Sequence, residues 1–193
     1  MPSNIEIKAR VLDLPRITAL AEKLSDAPAV IIQQHDTFFL SPNGRLKLRQ
    51  FSPEAGELIF YSRADVAGTK QSDYLIARTT APAELLAVLC AALGAQQTVI
   101  KTRRLFLVGQ TRVHLDAVEG LGSFVELEVV LREGQPPEEG HRIARELMLA
   151  LDIRESDLIE GAYADLLHPG AIERRKPRRI GLIKSLERLC EKS

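Results

Sequence analysis

Residues 4–11 read Asn-Ile-Glu-Ile-Lys-Ala-Arg-Val, and their alternation decides the fold class. Ile5, Ile7, Ala9 and Val11 point one way, and Asn4, Glu6, Lys8 and Arg10 point the other. Strict period-two alternation specifies a strand with one apolar face. The same pattern returns at 45–49, where Arg45, Lys47 and Arg49 alternate with Leu46 and Leu48. Asn43-Gly44 precedes that run and predicts a tight turn after a strand at 35–40. Residues 57–63 form a further strand with Glu57, Ile59, Tyr61 and Arg63 on one side. Lys101 and Arg103 share a face in a segment that ends in the apolar 105–108. Arg112, His114 and Asp116 oppose Val113, Leu115 and Ala117, while Glu126 and Glu128 oppose Val125, Leu127 and Val129. The turn at 120–123 joins these last two runs as a hairpin.

Four helices separate or follow the strands. Residues 15–24 begin with Pro15 and carry Ile17, Leu20, Ala21 and Leu24 on one face. Residues 82–93 run from Pro82 to the stop at Gly94, the expected order of the two residues. Residues 137–151 present Ile143, Leu147 and Leu151, and 157–167 follow Ser156 as an N-cap. The composite is an α+β protein, an antiparallel sheet with helices packed outside it.

The chain has 193 residues, 45% of them hydrophobic, which is enough to bury a real core. Its 26 basic and 26 acidic residues cancel, so no global field calls for nucleic acid or an anionic membrane. No apolar run approaches the roughly 18 residues of a membrane span, and the first ten residues lack a secretory layout. Cys90 and Cys190 form no CxxC, which argues against a disulfide framework or cysteine zinc site. A cytoplasmic protein is expected. The breaker cluster His168-Pro169-Gly170 divides a domain at 1–170 from a tail at 171–193. That tail holds eight basic and three acidic residues, and Leu182, Ile183, Leu186, Leu189 and Cys190 give it the spacing of a short amphipathic helix.

One charged strand face needs no more than water. The set asks for more, because like charges stack at i, i+2 and i+4, where they repel without a counter-charge. A sheet closed into a barrel would gather them in its lumen, where unpaired charge is costly. The basic group is Lys8, Arg10, Arg45, Lys47, Arg49, Arg63, Lys101, Arg103 and Arg112; the acidic group is Glu6, Asp116, Glu126 and Glu128. Many cations suit a polyanion such as a phosphate chain. Several carboxylates suit a hard cation, Mg²⁺ or Mn²⁺, bridging to phosphate oxygens.

At these residues the chain resembles the CYTH domain family, the triphosphate tunnel metalloenzymes. The resemblance starts with Glu-Ile-Lys-Ala-Arg at 6–10 and His-Asp-Thr-Phe-Phe at 35–39. It runs on through residues 44–49, 61–65, 70–74 and 101–104 to the stretch at 114–128, and the end of the domain resembles 162–167. It implies an eight-stranded antiparallel barrel forming a tunnel. It further implies that Glu6, Glu126 and Glu128 hold Mg²⁺ or Mn²⁺, and that Lys8, Arg45, Lys47, Arg49, Arg63, Lys101 and Arg103 grip a triphosphate, with Arg10 on the same strand face. Lys8, Arg49 and Asp116 are the implied catalytic residues, Asp116 by assisting the metal or orienting the nucleophile. Two positions depart from the family pattern: Asn4 stands where a glutamate is usual, and Arg63 where several members have lysine.

Three activities follow from the resemblance. These are hydrolysis of a triphosphate, cyclisation of ATP to cyclic AMP and pyrophosphate, and non-catalytic binding of a triphosphate or nucleotide. Cyclisation needs an adenosine pocket, which Tyr61, Phe38 and Phe39 could supply unless they belong to the core. The partner is a small-molecule triphosphate, with neither nucleic acid nor membrane, and family habit suggests a homodimer. No GxxxxGK is present, and Gly120-Leu121-Gly122 leads into a strand, so P-loop and dinucleotide sites are excluded. His35 is expected at a strand end or tunnel mouth, His114 in the lumen, and Cys90 as a packed thiol.

Overall fold

The computed structural model of the chain describes residues 3–64 and 68–167. The breaker cluster at 168–170, the basic tail and Asp65 lie outside the described residues. Eight strands are formed: β1 (Ser3–Val11), β2 (Val30–Phe39), β3 (Arg45–Ser52), β4 (Ala55–Arg63), β5 (Lys70–Thr79), β6 (Ala95–Val108), β7 (Thr111–Val118) and β8 (Gly122–Val130). They close into an antiparallel barrel in the order β1-β5-β4-β3-β2-β6-β7-β8. Outside it stand α1 (Leu14–Leu24), α2 (Pro82–Leu93), α3 (Pro137–Ala150) and α4 (Tyr163–Leu167). Among the described residues no helix is long and apolar enough to cross a membrane.

The barrel is polar inside and apolar outside. On β1, Ile5, Ile7 and Ala9 are buried on the outer wall, whereas Asn4, Glu6 and Lys8 line the lumen. The main core sits between this wall and the helices: Ile7, Ala9, Phe106, Val113, Leu115, Val125 and Leu127 meet Ile17 and Ala21 of α1 and Leu147 and Met148 of α3. At roughly 1.5–3 kcal/mol for each fully buried large aliphatic side chain, this layer is the main force holding the barrel closed. Gly140 lets α3 approach it, because a Cβ there would lie 2.6 Å from Ile5.

Two sequence expectations change. The helix expected over 157–167 is confined to α4. Leu158 pairs as an isolated bridge with Ala9, the Ile159 amide donates to the Lys8 carbonyl, and Gly161 takes φ +72°. Tertiary pairing with β1 overrides the helical spacing there. His35 lies in the middle of β2 and is exposed, pointing away from the lumen that Gln34 and Asp36 line. Strand β5 has no counterpart in the alternation argument. Its lumen side carries Ser72, Tyr74, Ile76 and Arg78 and its other side Gln71, Asp73 and Leu75, so neither face reads as apolar.

One end of the lumen is capped. Phe38, Val99, Val118, Phe124 and Tyr163 form a buried apolar cluster, against which Ile159, Leu166 and Leu167 pack. Arg45 ties α4 to β3 through Asp165 at 2.5 Å, and Arg63 donates to the Gly161 carbonyl at 2.9 Å. The segment 158–167 is thus fastened over that end.

Candidate active site

The lumen encloses a cavity of about 370 Å³. Eight cationic side chains line it: Lys8, Lys47, Arg49, Arg63, Arg78, Lys101, Arg103 and Arg112. Five carboxylates face them, on Glu6, Asp36, Glu57, Glu126 and Glu128. Alternation on consecutive strands explains the convergence, since each of these residues has an outward-facing neighbour on either side in sequence.

The cations are held in place by ion pairs of defined geometry. Arg49 clamps Asp36 bidentately, Nε to Oδ1 and Nη2 to Oδ2, both at 2.8 Å, and Lys47 reaches the same carboxylate at 2.8 Å. Arg103 does the same to Asp116 at 2.7 and 2.6 Å, and its Nη2 also donates to Glu126 at 2.5 Å. Lys101 adds a 3.2 Å contact to Asp116, and Lys8 pairs with Glu126 at 2.5 Å. Arg63 pairs with Glu6, and Arg112 with Glu128 at 2.9 Å. A planar guanidinium held on one edge still offers its remaining N–H groups to an incoming oxyanion.

Burial and neighbouring charge compete at each group, and the directions show which wins. Burial alone would raise the Asp36 carboxyl, but Arg49 and Lys47 hold it well below the usual carboxylate range. Burial likewise loses at Asp116, to Arg103 and Lys101, and at Glu126, to Lys8 and Arg103. The acids therefore stay ionised. Lys47 goes the other way: burial, aided by Arg49, brings it down to about 7. Burial and the nearby Glu126 and Asp116 keep the proton on Tyr163, whose hydroxyl donates to Asp116 Oδ2 at 3.0 Å.

A measurable proton effect follows from Lys47. A phosphate oxyanion beside it restores the ammonium form. One pH unit above its value, binding of tripolyphosphate by the wild type is expected to take up nearly one proton more than binding by Lys47→Arg, whose guanidinium is always charged. Titration calorimetry in two buffers of different ionisation enthalpy reads this difference. Equal uptake by both proteins would show that Lys47 does not meet the ligand.

Of the residues expected in the site, Lys8, Lys47, Arg49, Arg63, Lys101, Arg103, Glu6, Glu126 and Glu128 line one cavity. Two do not. Arg10 is exposed beyond the cap, where it lies 5.0 Å over the Phe124 ring and donates to the Leu121 carbonyl. Its parity is right, but the strand has run past the end of the lumen. Arg45 lies at the same end and pairs with Asp165. Asp116 is also displaced from the expected role: fully buried and saturated by Lys101, Arg103 and Tyr163, it positions cations rather than facing the cavity. The aromatic set splits, with Phe38 and Tyr61 at the capped end and Phe39 outside the cavity lining. Cys90 is only half-buried.

Sequence reasoning missed Asp36, Gln34 and Tyr163. Asp36 has no charged neighbour at i±2, so the stacking of like charges that marked the other strands is absent there. Its signal was the β2–β3 hairpin, whose register sets Asp36 opposite Arg49.

The donor set fits a divalent cation. Glu126, Glu128 and His114 each place one ligand atom within 4.8 Å of the others. Glu6 lies opposite Glu128 in the β1–β8 ladder, with its carboxylate drawn to Arg63.

Comparison with known proteins agrees with this architecture. The sequence matches the CYTH domain profile over residues 3–163. No curated protein matches it. Among solved structures, the PH1012 protein from Pyrococcus horikoshii OT3 superposes with a TM-score of 0.74 at 24% identity, covering 84% of this chain and 98% of that one. A candidate adenylate cyclase from Vibrio parahaemolyticus gives 0.70 at 18%, covering 85% and 97%. HpAC1 from Hippeastrum, for which a dominant triphosphatase activity is stated, gives 0.60 at 16%, covering 85% and 93%. At these identities the neighbours share the fold, and the profile match over most of the chain supplies the assignment: this protein belongs to the CYTH domain family.

Proposed function

We propose that the protein is a divalent-metal-dependent triphosphatase, which releases orthophosphate from a triphosphate held inside the barrel. The observation that carries this reading is the convergence of Lys8, Lys47, Arg49, Arg63, Lys101 and Arg103 on one cavity, with Glu126 and Glu128 at its side. Counting Asp116 behind the wall, cations still exceed carboxylates, and a divalent ion raises the excess further. That is the sign and size of charge a triphosphate supplies. A chain of phosphates also matches a narrow lumen with donors on every wall, whereas a flat anion would leave most of them unused.

Phosphoryl transfer asks the protein for position and charge rather than covalent chemistry. Arg49, with Lys47 beside it, offers its free N–H edge to one part of the phosphate chain, while Lys101 and Arg103 act as a second clamp on another. Their carboxylate partners fix them beforehand, so little reorganisation accompanies binding. Glu126 and Glu128, with His114 beside them, are the residues to hold Mg²⁺ or Mn²⁺. When bound, that ion neutralises phosphate oxygens and lowers the pKa of a coordinated water. Lys8, paired with Glu126, lies where it can stabilise charge on the phosphoryl group that departs. An organic group on the far end of the substrate would project through the uncapped mouth, past Phe51 and Ile76.

The test is incubation with tripolyphosphate, ATP and thiamine triphosphate separately, each with Mg²⁺, Mn²⁺ or chelator, and chromatography of all products. Orthophosphate that appears only with metal is the expected result and ranks the substrates. Cyclic AMP with pyrophosphate would replace hydrolysis by cyclisation. No product, with the fold still protected by tripolyphosphate, would leave a binding protein.

A further inference from the structure

The geometry points to a mixed nitrogen–oxygen metal site in which His114 is a ligand beside Glu126 and Glu128, giving this chain a preference for Mn²⁺ over Mg²⁺. The inference rests on the metal-dependent reading above and deepens it by naming the ion and the residue that selects it.

Three observations carry it. First, the β7–β8 ladder sets His114 directly opposite Glu126, with Glu128 opposite Arg112 one step along the same lumen face. His114 Nδ1 lies 3.8 Å from Glu126 Oε2 and 3.7 Å from Glu128 Oε1. Ligand atoms about 2.0–2.2 Å from a common ion are roughly 3–4 Å apart, so small side-chain shifts suffice. Second, His114 is 3% exposed and its Nδ1 has no hydrogen-bond partner among the described residues. A buried ring nitrogen left unmade costs about 1–3 kcal/mol, and both carboxylate oxygens stand too far away to satisfy it. A metal ion between the three groups satisfies it. Third, the group of mutually close ligand atoms is made of Glu126, Glu128 and His114, while Glu6, which faces Glu128 across the β1–β8 ladder, pairs with Arg63 and is not part of it. An all-oxygen set would suit Mg²⁺, but an imidazole nitrogen favours first-row transition ions. Lys8 and Arg103 on Glu126, and Arg112 on Glu128, compete with the ion for the carboxylates without competing for the ring nitrogen.

The experiment measures metal binding directly, without substrate. Free Mn²⁺ is counted by its electron paramagnetic resonance signal, and Mg²⁺ affinity comes from its competition with Mn²⁺. Pulsed resonance of the bound Mn²⁺ then looks for the ¹⁴N modulation of a coordinated imidazole. The wild type is expected to show that modulation and to prefer Mn²⁺. His114→Gln should lose the modulation and about 10–100-fold in Mn²⁺ affinity, with Mg²⁺ affinity changed only a few-fold. Should His114→Gln fold poorly, His114→Ala serves, and the wild-type spectrum alone remains decisive. Absence of the ¹⁴N modulation, equal losses for both ions, or no Mn²⁺ uptake at millimolar concentration would each overturn the assignment. A nitrogen-ligated ion in a protein without turnover would keep this inference and sink the triphosphatase reading. Metal-dependent turnover with no role for His114 would do the reverse.

Discussion

Glu128→Gln is expected to lower metal-dependent phosphate release by about 10²–10³-fold, the range for losing one preorganised electrostatic contact at a reacting centre. Its fold should survive almost unchanged. Glu128 is the more open of the two β8 acids, and its direct ion-pair partner, Arg112, reaches solvent when released. Glu126→Gln should cost as much in rate and, in addition, several kcal/mol of stability. It removes the partner of Lys8, which is 3% exposed, and one of the two partners of Arg103. Comparing the two variants separates the site's chemistry from its scaffolding. The measurements are kcat/KM with tripolyphosphate at saturating metal, and urea unfolding of each protein. Turnover of Glu128→Gln within a few-fold of wild type would remove Glu128 from the reacting centre.

The contrast between these acids also shows what could be read from the chain. Alternation alone placed Glu126 and Glu128 on one face, and the 120–123 turn made their strand pair with 112–118. His114 opposite Glu126 was legible in the same hairpin but was not read, although a short hairpin fixes register. The stacking of like charges asked for a counter-charge, which a closed barrel would gather in its lumen. The eight-stranded barrel itself was implied by the resemblance to the CYTH family. Ion pairs between strands distant in sequence were not legible, because they depend on which strands become neighbours. β1 meets β5 and β8, and β2 meets β6, at separations no local pattern encodes. Glu6 and Arg63, 57 positions apart, are partners only after closure.

The cap shows the same limit from another side. Residues 158–167 carry helical spacing, yet Leu158 and Ile159 serve better as an extended strap along β1, which leaves five residues to the helix. Local propensity is a fraction of a kcal/mol per residue and yields to such pairing. Arg10 was misplaced for a related reason. Parity identifies a face of a strand but not where along the strand the lumen ends, and here it ends at Phe124, the residue opposite Arg10.

Asp116 is where stability and function are most tightly joined, and Asp116→Asn is expected to cost about 3–5 kcal/mol, the cost of breaking a buried ion pair by removing one partner. The amide is nearly isosteric, so the loss measures charge rather than volume. It leaves Lys101 without the carboxylate it reaches and Arg103 with Glu126 as its remaining partner. Against a typical domain stability of roughly 5–15 kcal/mol this is a large fraction, and the melting temperature should fall by many degrees. The pH dependence has a definite sign. Arg103 and Lys101 hold the native Asp116 carboxyl below its unfolded value despite burial, so its stabilisation is present above the unfolded value, about 3.9, and is lost as pH falls through the native one. Wild type and variant should therefore differ fully at neutral pH and converge only in strong acid. Tripolyphosphate, which can take over the charge of Lys101 and Arg103, should stabilise the variant more than the wild type. Urea unfolding at neutral and acid pH, with and without tripolyphosphate, reads all three effects. A loss below about 1 kcal/mol at neutral pH, the scale of an exposed pair, would mean that water enters behind Arg103 and that Asp116 does not hold the clamp.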